Sequence, residues 1–328
     1  MSKHVTIYGG SGFVGRYIAR RMAKAGWRVR VAVRRPNEAL FVQTYGVVGQ
    51  VEPELCNIRD DASVRHAMRG ADAVVNCVGI LNNLGKNKFD AVHHEGAERI
   101  ARLASLAGIK RMVHLSSISA DVDSDSDYAR SKGLGEQSVK TYFPDATILR
   151  PSVVFGVEDQ FFNRFASMTT FSMALPLVGG NTRFQPVYVD DVAAAAEVAL
   201  TGNAPTGVYE LGGPEVDTLK GLVQYMLKEI QRRRLVVNLP FWVGSVMGFG
   251  FDMMQAMSGG LIPNTILSRD QVRLLKHDNV VSDDARGLID LGIKPTPFEA
   301  VVPDYLWRFR SSGEYASIKE SAKKLRKA

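Results

Sequence analysis

Two cysteines, Cys56 and Cys77, are all the thiol chemistry in this 328-residue sequence. They are too few for a disulfide framework or a cysteine metal site, and they fit a reducing compartment. Long apolar runs are scarce too. The nearest approach, "VVNLPFWVGSVMGFGFDMMQAMSGGL" at 236–261, is broken by Asn238, Pro240, Asp252 and several glycines. A spanning helix needs roughly 20 unbroken apolar residues, so a loop and helix packed inside the second lobe is expected there. The sharper alternative is an apolar, Met-rich surface for a partner or a membrane boundary. The basic runs are not interleaved with aromatics, which argues against nucleic acid as a partner. His93 and His94 have no acid or cysteine at ligand spacing, and "ADVDSDSDY" lacks the glycine and glutamate of a calcium loop, so no metal is expected. No leader is expected, since "MSKHVTIYGG" enters a strand at once. A bacterial cytoplasmic protein or a mature organellar one is expected, and the start Met favours the first.

What is present is an ordinary globular composition, 45% apolar and 23% charged. Lys plus Arg outnumber Asp plus Glu by 41 to 34, a net charge of +7. Such a field suits phosphate-bearing ligands or an acidic partner. The excess is local. Arg16, Arg20, Arg21, Lys24, Arg28, Arg30, Arg34 and Arg35 crowd the first part, Arg232 to Arg234 form a triplet, and the tail "KESAKKLRKA" is basic.

Apolar runs of strand length alternate with helical segments through the first half. "HVTIYGG", "WRVRVAVRR", "ADAVVNCVGI" and "RMVHLSSIS" read as strands; "GRYIARRMAKAG", "DASVRHAMRGA" and "AVHHEGAERIARLASLAGI" read as helices. This rhythm predicts an α/β fold: a Rossmann-type doubly wound parallel sheet, with a smaller, mainly helical second lobe. Residues 1–151 and about 186–212 are assigned to the sheet domain. Residues 152–185 and 213–328 form the second lobe with its basic tail, mostly helical from Thr218.

"YGGSGFVGR" places Gly9, Gly12 and Gly15 between the first strand and the first helix. Glycines there allow a tight turn, close approach of a pyrophosphate and close helix–sheet packing. The first helical residues, Phe13 and Val14, then offer free N–H groups to phosphates. At the end of the second strand no acid stands between Val29 and Asn37; Arg34 and Arg35 do. Paired guanidinium groups suit a 2′-phosphate, so NADPH is expected over NADH. Further on, Tyr128 and Lys132 are four apart in "DYARSK", on one helix face. An ammonium beside a phenol lowers its pKa and makes it an acid–base group near neutral pH.

With the glycine loop, "HLSSIS" and "YARSK", the sequence resembles the short-chain dehydrogenase/reductase superfamily, in its extended or atypical branch. The resemblance implies Tyr128 as general acid/base, Lys132 as ribose ligand and Ser117 as holder of the substrate oxygen, with Ser116 the second serine at that strand end. "CNIRD" resembles the adenine-contacting segment with Asn57 in place of its first acid, which leaves Asn57 and Ile58 for the adenine. "NCVG" implies Val78 and Gly79 near the ribose, and "LRPSVVFG" implies Pro151 and Val154 near the carboxamide.

A closer resemblance covers nearly the whole chain. "FGVEDQFFNRFASM", "LSRDQVRLLKHDNVVSD" and "LGIKPTPFE" look like the 39-kDa-type accessory subunit family of respiratory complex I. That family implies a structural NADPH that is not turned over, and other subunits of the peripheral arm as partners. It also implies a peripheral position at the membrane: the cytoplasmic face of a bacterial inner membrane, or the matrix side in an organelle. Membrane contact would fall to 236–261 or the basic tail. The competing expectation is a free-standing NADPH-dependent reductase or sugar-nucleotide epimerase that uses Ser117, Tyr128 and Lys132.

Overall fold

The first strand shows how side chains are sorted. Along β1 (His4–Tyr8), Val5 and Ile7 join one apolar cluster while Tyr8 joins another, because successive strand residues face opposite sides. Two polar side chains on the second face bond to backbone carbonyls. The Thr6 hydroxyl donates to Ala67 O at 2.8 Å, and the Tyr8 hydroxyl donates to Val64 O at 2.8 Å. The computed structural model describes residues 2–258, 261, 264, 266–311 and 313.

Six further strands join β1: β2 (Arg28–Val33), β3 (Val51–Leu55), β4 (Ala73–Asn76), β5 (Arg111–Leu115), β6 (Thr147–Pro151) and β7 (Gly207–Leu211). All pair in parallel, in the spatial order β7-β6-β5-β4-β1-β2-β3. β1 and β4 are neighbours although not consecutive, so the connections diverge there and open a crevice at the carboxyl ends. On one face lie α1 (Phe13–Lys24) and, later in the chain, α6 (Val189–Thr201). Ile18, Met22, Val192 and Leu200 are buried between them and the sheet. Arg21 links the two helices through Asp190 at 2.7 Å and Glu197 at 3.0 Å. On the other face lie α2 (Asp61–Ala67), α3 (Glu95–Leu106) and α4 (Asp127–Tyr142), which bury Val64, Ile100, Leu103 and Val139.

A third cluster forms the smaller lobe. It draws Phe162 and Ala166 from α5 (Phe162–Phe171), Leu222 and Met226 from α7 (Leu219–Glu229), and Tyr305 and Leu306 from α10 (Pro303–Leu306). One carboxylate organises it. Asp159 is buried and accepts from the backbone N–H groups of Gly156, Phe161 and Asn163, and from the Tyr305 hydroxyl at 2.6 Å.

Two expectations for this lobe need correction. Residues Leu235–Leu239 form a strand, paired in parallel with Ala174–Val178. The two adjacent valines of this short run found a partner some 60 positions upstream, which a local reading cannot supply. The second concerns the apolar stretch that follows. It is a helix, α8 (Phe241–Met257), but it is not packed inside: only Gly244 and Gly248 are buried, while Trp242 is 70% exposed and Met257 82%. Beyond it come α9 (Arg269–Leu274) and irregular turns. Among the described residues no helix is long and apolar enough to cross a membrane. The basic tail lies outside the described residues.

Candidate dinucleotide-binding site

Every site residue read from the sequence except Val154 lies at or just past the carboxyl end of a sheet strand, or on the α1 and α4 faces above it. Gly9 leaves β1 with φ of +76°, where a side chain would be strained, and its N–H donates to Ala32 O at 3.0 Å. A Cβ on Gly15 would stand 2.5 Å from Gly9 O, so the helix can approach the turn this closely only with glycine. Gly12 occupies the N-cap position of α1 with no side-chain cap, and Phe13 and Val14 begin the helix. Its first N–H groups therefore remain available to an anion.

At the end of β2 both arginines are exposed. Arg35 pairs with Glu38 at 3.0 Å, whereas Arg34 has no ion-pair partner among the described residues. The two guanidinium groups are thus unequal: Arg34 is the freer ligand for a phosphate. After β3, Asn57 turns its Oδ1 to the backbone N–H of Arg59 at 3.2 Å, and Ile58 packs against Gly96 of α3. After β4, the Val78 N–H donates to Asn76 Oδ1 at 3.1 Å, and Gly79 stands close to Lys132 and His93. Pro151 ends β6. Val154 lies beyond it in a two-residue strand beside Val187–Tyr188.

α4 carries the reactive side chains. Ser126 caps it by accepting from the Ala129 N–H. Lys132 is buried and donates from Nζ to Leu115 O at 3.1 Å; burial pushes its pKa down to about 8. The Ser117 hydroxyl lies close enough to the Tyr128 phenol to favour its ionised form. The expected lowering of its pKa by Lys132 is not found. Burial pushes the phenol above its ordinary value, Ser117 opposes this, and the Lys132 head is directed to a backbone carbonyl instead. Ser117 also meets Ser119 Oγ at 2.9 Å.

Two histidines complete the surroundings; sequence reasoning weighed His93 only as a metal ligand and passed over His114. His93 accepts at Nε2 from the Ile80 N–H at 3.0 Å, so its proton is on Nδ1 and is donated to Ser131 Oγ at 3.0 Å. Ser131 in turn donates to Tyr128 O at 2.8 Å. The ring meets Tyr128 edge-on at 5.3 Å and stacks on Phe89 at 5.5 Å. Burial, then Lys132, holds its pKa near 2, so it stays neutral. The i, i+4 spacing of Phe89 and His93 was the available signal. His114 on β5 takes the Asn76 amide at Nδ1 at 3.1 Å, which leaves its buried Nε2 without a partner among the described residues. Ser116 Oγ, also buried, is likewise unpartnered.

This arrangement fits a dinucleotide. The glycine cradle admits no Cβ at Gly15, α1 offers uncapped N–H groups, and an orphaned hydroxyl waits at the end of β5. Gly9, Gly12, Phe13, Val14 and Gly15 would hold the pyrophosphate, and Lys132 and Tyr128 the nicotinamide ribose. Bound there, the nicotinamide would supply hydride chemistry. Among the described residues no group of acids, histidines and cysteines could hold a metal.

The NAD dependent epimerase/dehydratase family matches residues 5–212. The NADH dehydrogenase (ubiquinone) 1 alpha subcomplex subunit 9 of Arabidopsis thaliana is 34% identical over 94% of this chain and 78% of its own length. The chain belongs to this epimerase/dehydratase family, in the branch of the 39-kDa-type accessory subunit of complex I. The ceramide reductase of Caulobacter vibrioides is 31% identical over 63% of this chain and 63% of its own length. The fold of the family recurs in DesIV, a dTDP-glucose 4,6-dehydratase from Streptomyces venezuelae solved with NAD. It superposes with a TM-score of 0.70 at 20% identity, over 94% of this chain and 98% of that one.

Proposed function

We propose that this chain is an accessory subunit of complex I that holds NADPH as a structural ligand and does not turn it over. The observation that carries this reading is where the similarities stop. The epimerase/dehydratase match ends at residue 212, while similarity to the complex I subunit spans 94% of the chain and so includes the second lobe. A ligand bound only by the folded state stabilises it by mass action. Arg34 would take the 2′-phosphate, with Arg35 a weaker second because Glu38 shares it. We read residues 1–151 with about 186–212 as the nucleotide domain, and the remainder as the lobe that faces partners.

The partners are other subunits of the peripheral arm, and the place is the membrane face on the cytoplasmic or matrix side. The exposed apolar side of α8 (Trp242, Val246, Phe249, Met253, Met254) supports contact with a subunit or with the lipid boundary. The test is purification of the native protein. Co-migration with NADH:ubiquinone oxidoreductase, and release of one NADPH per chain on denaturation, are expected. A protein that never co-migrates overturns the reading.

A second reading keeps its own support. Ser117, Tyr128 and Lys132 are all present, with Ser117 beside the phenol. An NADPH-dependent reductase or epimerase would lose turnover in Tyr128→Phe yet keep its nucleotide. Under the first reading that variant respires normally.

A further inference from the structure

The second lobe reaches back to the helix that carries Tyr128. The carboxylate of Asp270, on α9, sits at the N-terminus of α4. Its Oδ1 accepts from the Asp127 N–H at 2.7 Å; its Oδ2 accepts from the Tyr128 N–H at 3.1 Å and from the Ser126 hydroxyl at 2.9 Å. These are two of the free N–H groups that every helix start must satisfy, here met by a residue about 140 positions away. Flanking bonds continue the seam. Arg273 Nη1 donates to Asp125 O at 2.8 Å, and Gln255 Nε2 of α8 donates to Asn83 O at 2.9 Å. Gln255 Oε1 accepts from the Asn264 N–H, and Asp252 accepts from the Arg269 N–H. A cavity of about 310 Å³ remains between the lobes, lined by Asn82, Phe89, Asp127, Asp252 and Arg269 among others. Phe89 stands between it and the Tyr128 ring, which it meets edge-on at 5.8 Å.

We infer that Asp270 is an interlobe latch, and that this latch, rather than any loss of Ser117, Tyr128 or Lys132, keeps substrates from Tyr128. The inference rests on the proposed non-catalytic reading and gives its physical cause. It also makes α4 a shared element: the nucleotide would hold its Lys132 face while the second lobe holds its N-terminus. An opened latch would expose the nicotinamide end and free α8 and α9 together.

The test uses the full chain loaded with NADPH, and two readouts. One is hydrogen exchange at the Asp127 and Tyr128 amides; the other is iodide quenching of bound NADPH fluorescence. Loss of charge-assisted bonds in Asp270→Ala should speed exchange at those amides about tenfold or more. Quenching should rise by at least about twofold as the cleft opens to water. Asp270→Asn, which preserves size and one acceptor, should move both readouts the same way by less, and it serves if the alanine variant does not fold. Arg273→Ala leaves the Asp270 bonds in place and should leave both amides protected. Wild-type exchange and quenching in the Asp270 variants overturn the latch. So does equal opening in Arg273→Ala, since that marks general loosening of the lobe. A chain that binds no NADPH sinks the functional reading instead, while amide exchange still decides the latch.

Discussion

Helices α1 and α8 are both apolar enough to need cover, and only one of them has it. α1 buries Ile18, Ala19 and Met22 against the sheet and α6 and leaves its arginines outside. α8 is apolar around most of its circumference, yet it buries two glycines and presents Trp242, Val246, Phe249, Met253, Met254 and Met257 to solvent. A helix that is hydrophobic all round belongs in an interior. The apolar face of α1 is thus covered within the chain, while that of α8 is left open to a partner. The same contrast divides the chemistry. The candidate dinucleotide crevice is assembled from glycine and serine at strand ends and from tyrosine and lysine on α4, and the second lobe contributes the latch and a surface.

The largest effects should come from the crevice. In Gly15→Val, the Cβ would be placed 2.5 Å from Gly9 O and more atoms would follow it. We expect loss of nucleotide binding and a stability drop of about 3 kcal/mol, read by thermal melting with and without NADPH. A variant that melts and binds like wild type would show that α1 and the turn are not closely packed, and the comparison with α8 would fail at its first step.

Lys132 offers a test by pH. Its folded pKa, near 8, lies below the ordinary lysine value, so the unfolded chain holds the proton over a range where the folded chain has released it. The nucleotide-free protein should therefore gain stability as pH rises from about 8 to 10, by roughly 3 kcal/mol at most. Lys132→Met should flatten that slope, and it should weaken NADPH binding about tenfold or more through the lost ribose contact. Equal slopes in both proteins would mean that the ammonium is well solvated, contrary to its burial.

The sheet was legible because its signals are local. Strand alternation, glycine punctuation and the strand–turn–helix context of Gly9 to Gly15 all act within a few residues, and the parallel order follows from the βα rhythm. Tyr128 and Lys132 were found by spacing and Ser117 through the family resemblance, and the structure sets the three near one another. The electrostatics were less legible: Tyr128 is pushed up by burial, a three-dimensional quantity, although its lysine neighbour was correctly placed. The second lobe was hardest. Strand Leu235–Leu239 depends on a distant partner, and the Asp270 carboxylate satisfies a helix 142 residues away. Its own capping box, Ser268 with Gln271, is local and readable, but nothing in it names the target. The pair Arg35 and Glu38 was readable at i, i+3, and it divides two arginines that the sequence presents as equals.

That inequality gives a smaller prediction. Arg34→Ala should weaken NADPH binding by about 1–2 kcal/mol while NADH binding changes little, which narrows the preference for the phosphorylated nucleotide. Arg35→Ala should cost less, because its partner Glu38 and its high exposure already discount it. Isothermal titration with both nucleotides decides the order. An Arg35 effect exceeding that of Arg34 would mean that Glu38 gives way when phosphate arrives.

The smallest effect on the isolated chain should come from α8, and that smallness is its diagnostic value. Trp242→Ser combined with Phe249→Ser removes two large apolar groups that are already 70% and 48% exposed, so melting of the purified protein should shift by less than about 1 kcal/mol. The matched change in α1, Ile18→Ala, should cost about 3 kcal/mol, because that side chain is fully buried. Interface apolar groups behave oppositely when their partner is present: their loss leaves the free protein alone and weakens assembly. Gradient sedimentation of membranes carrying the double variant should therefore show the chain released from complex I while its fold and NADPH content persist. Were the double variant instead to stay bound, α8 would be covered by nothing that matters, and the second lobe would have to meet its partners through another surface.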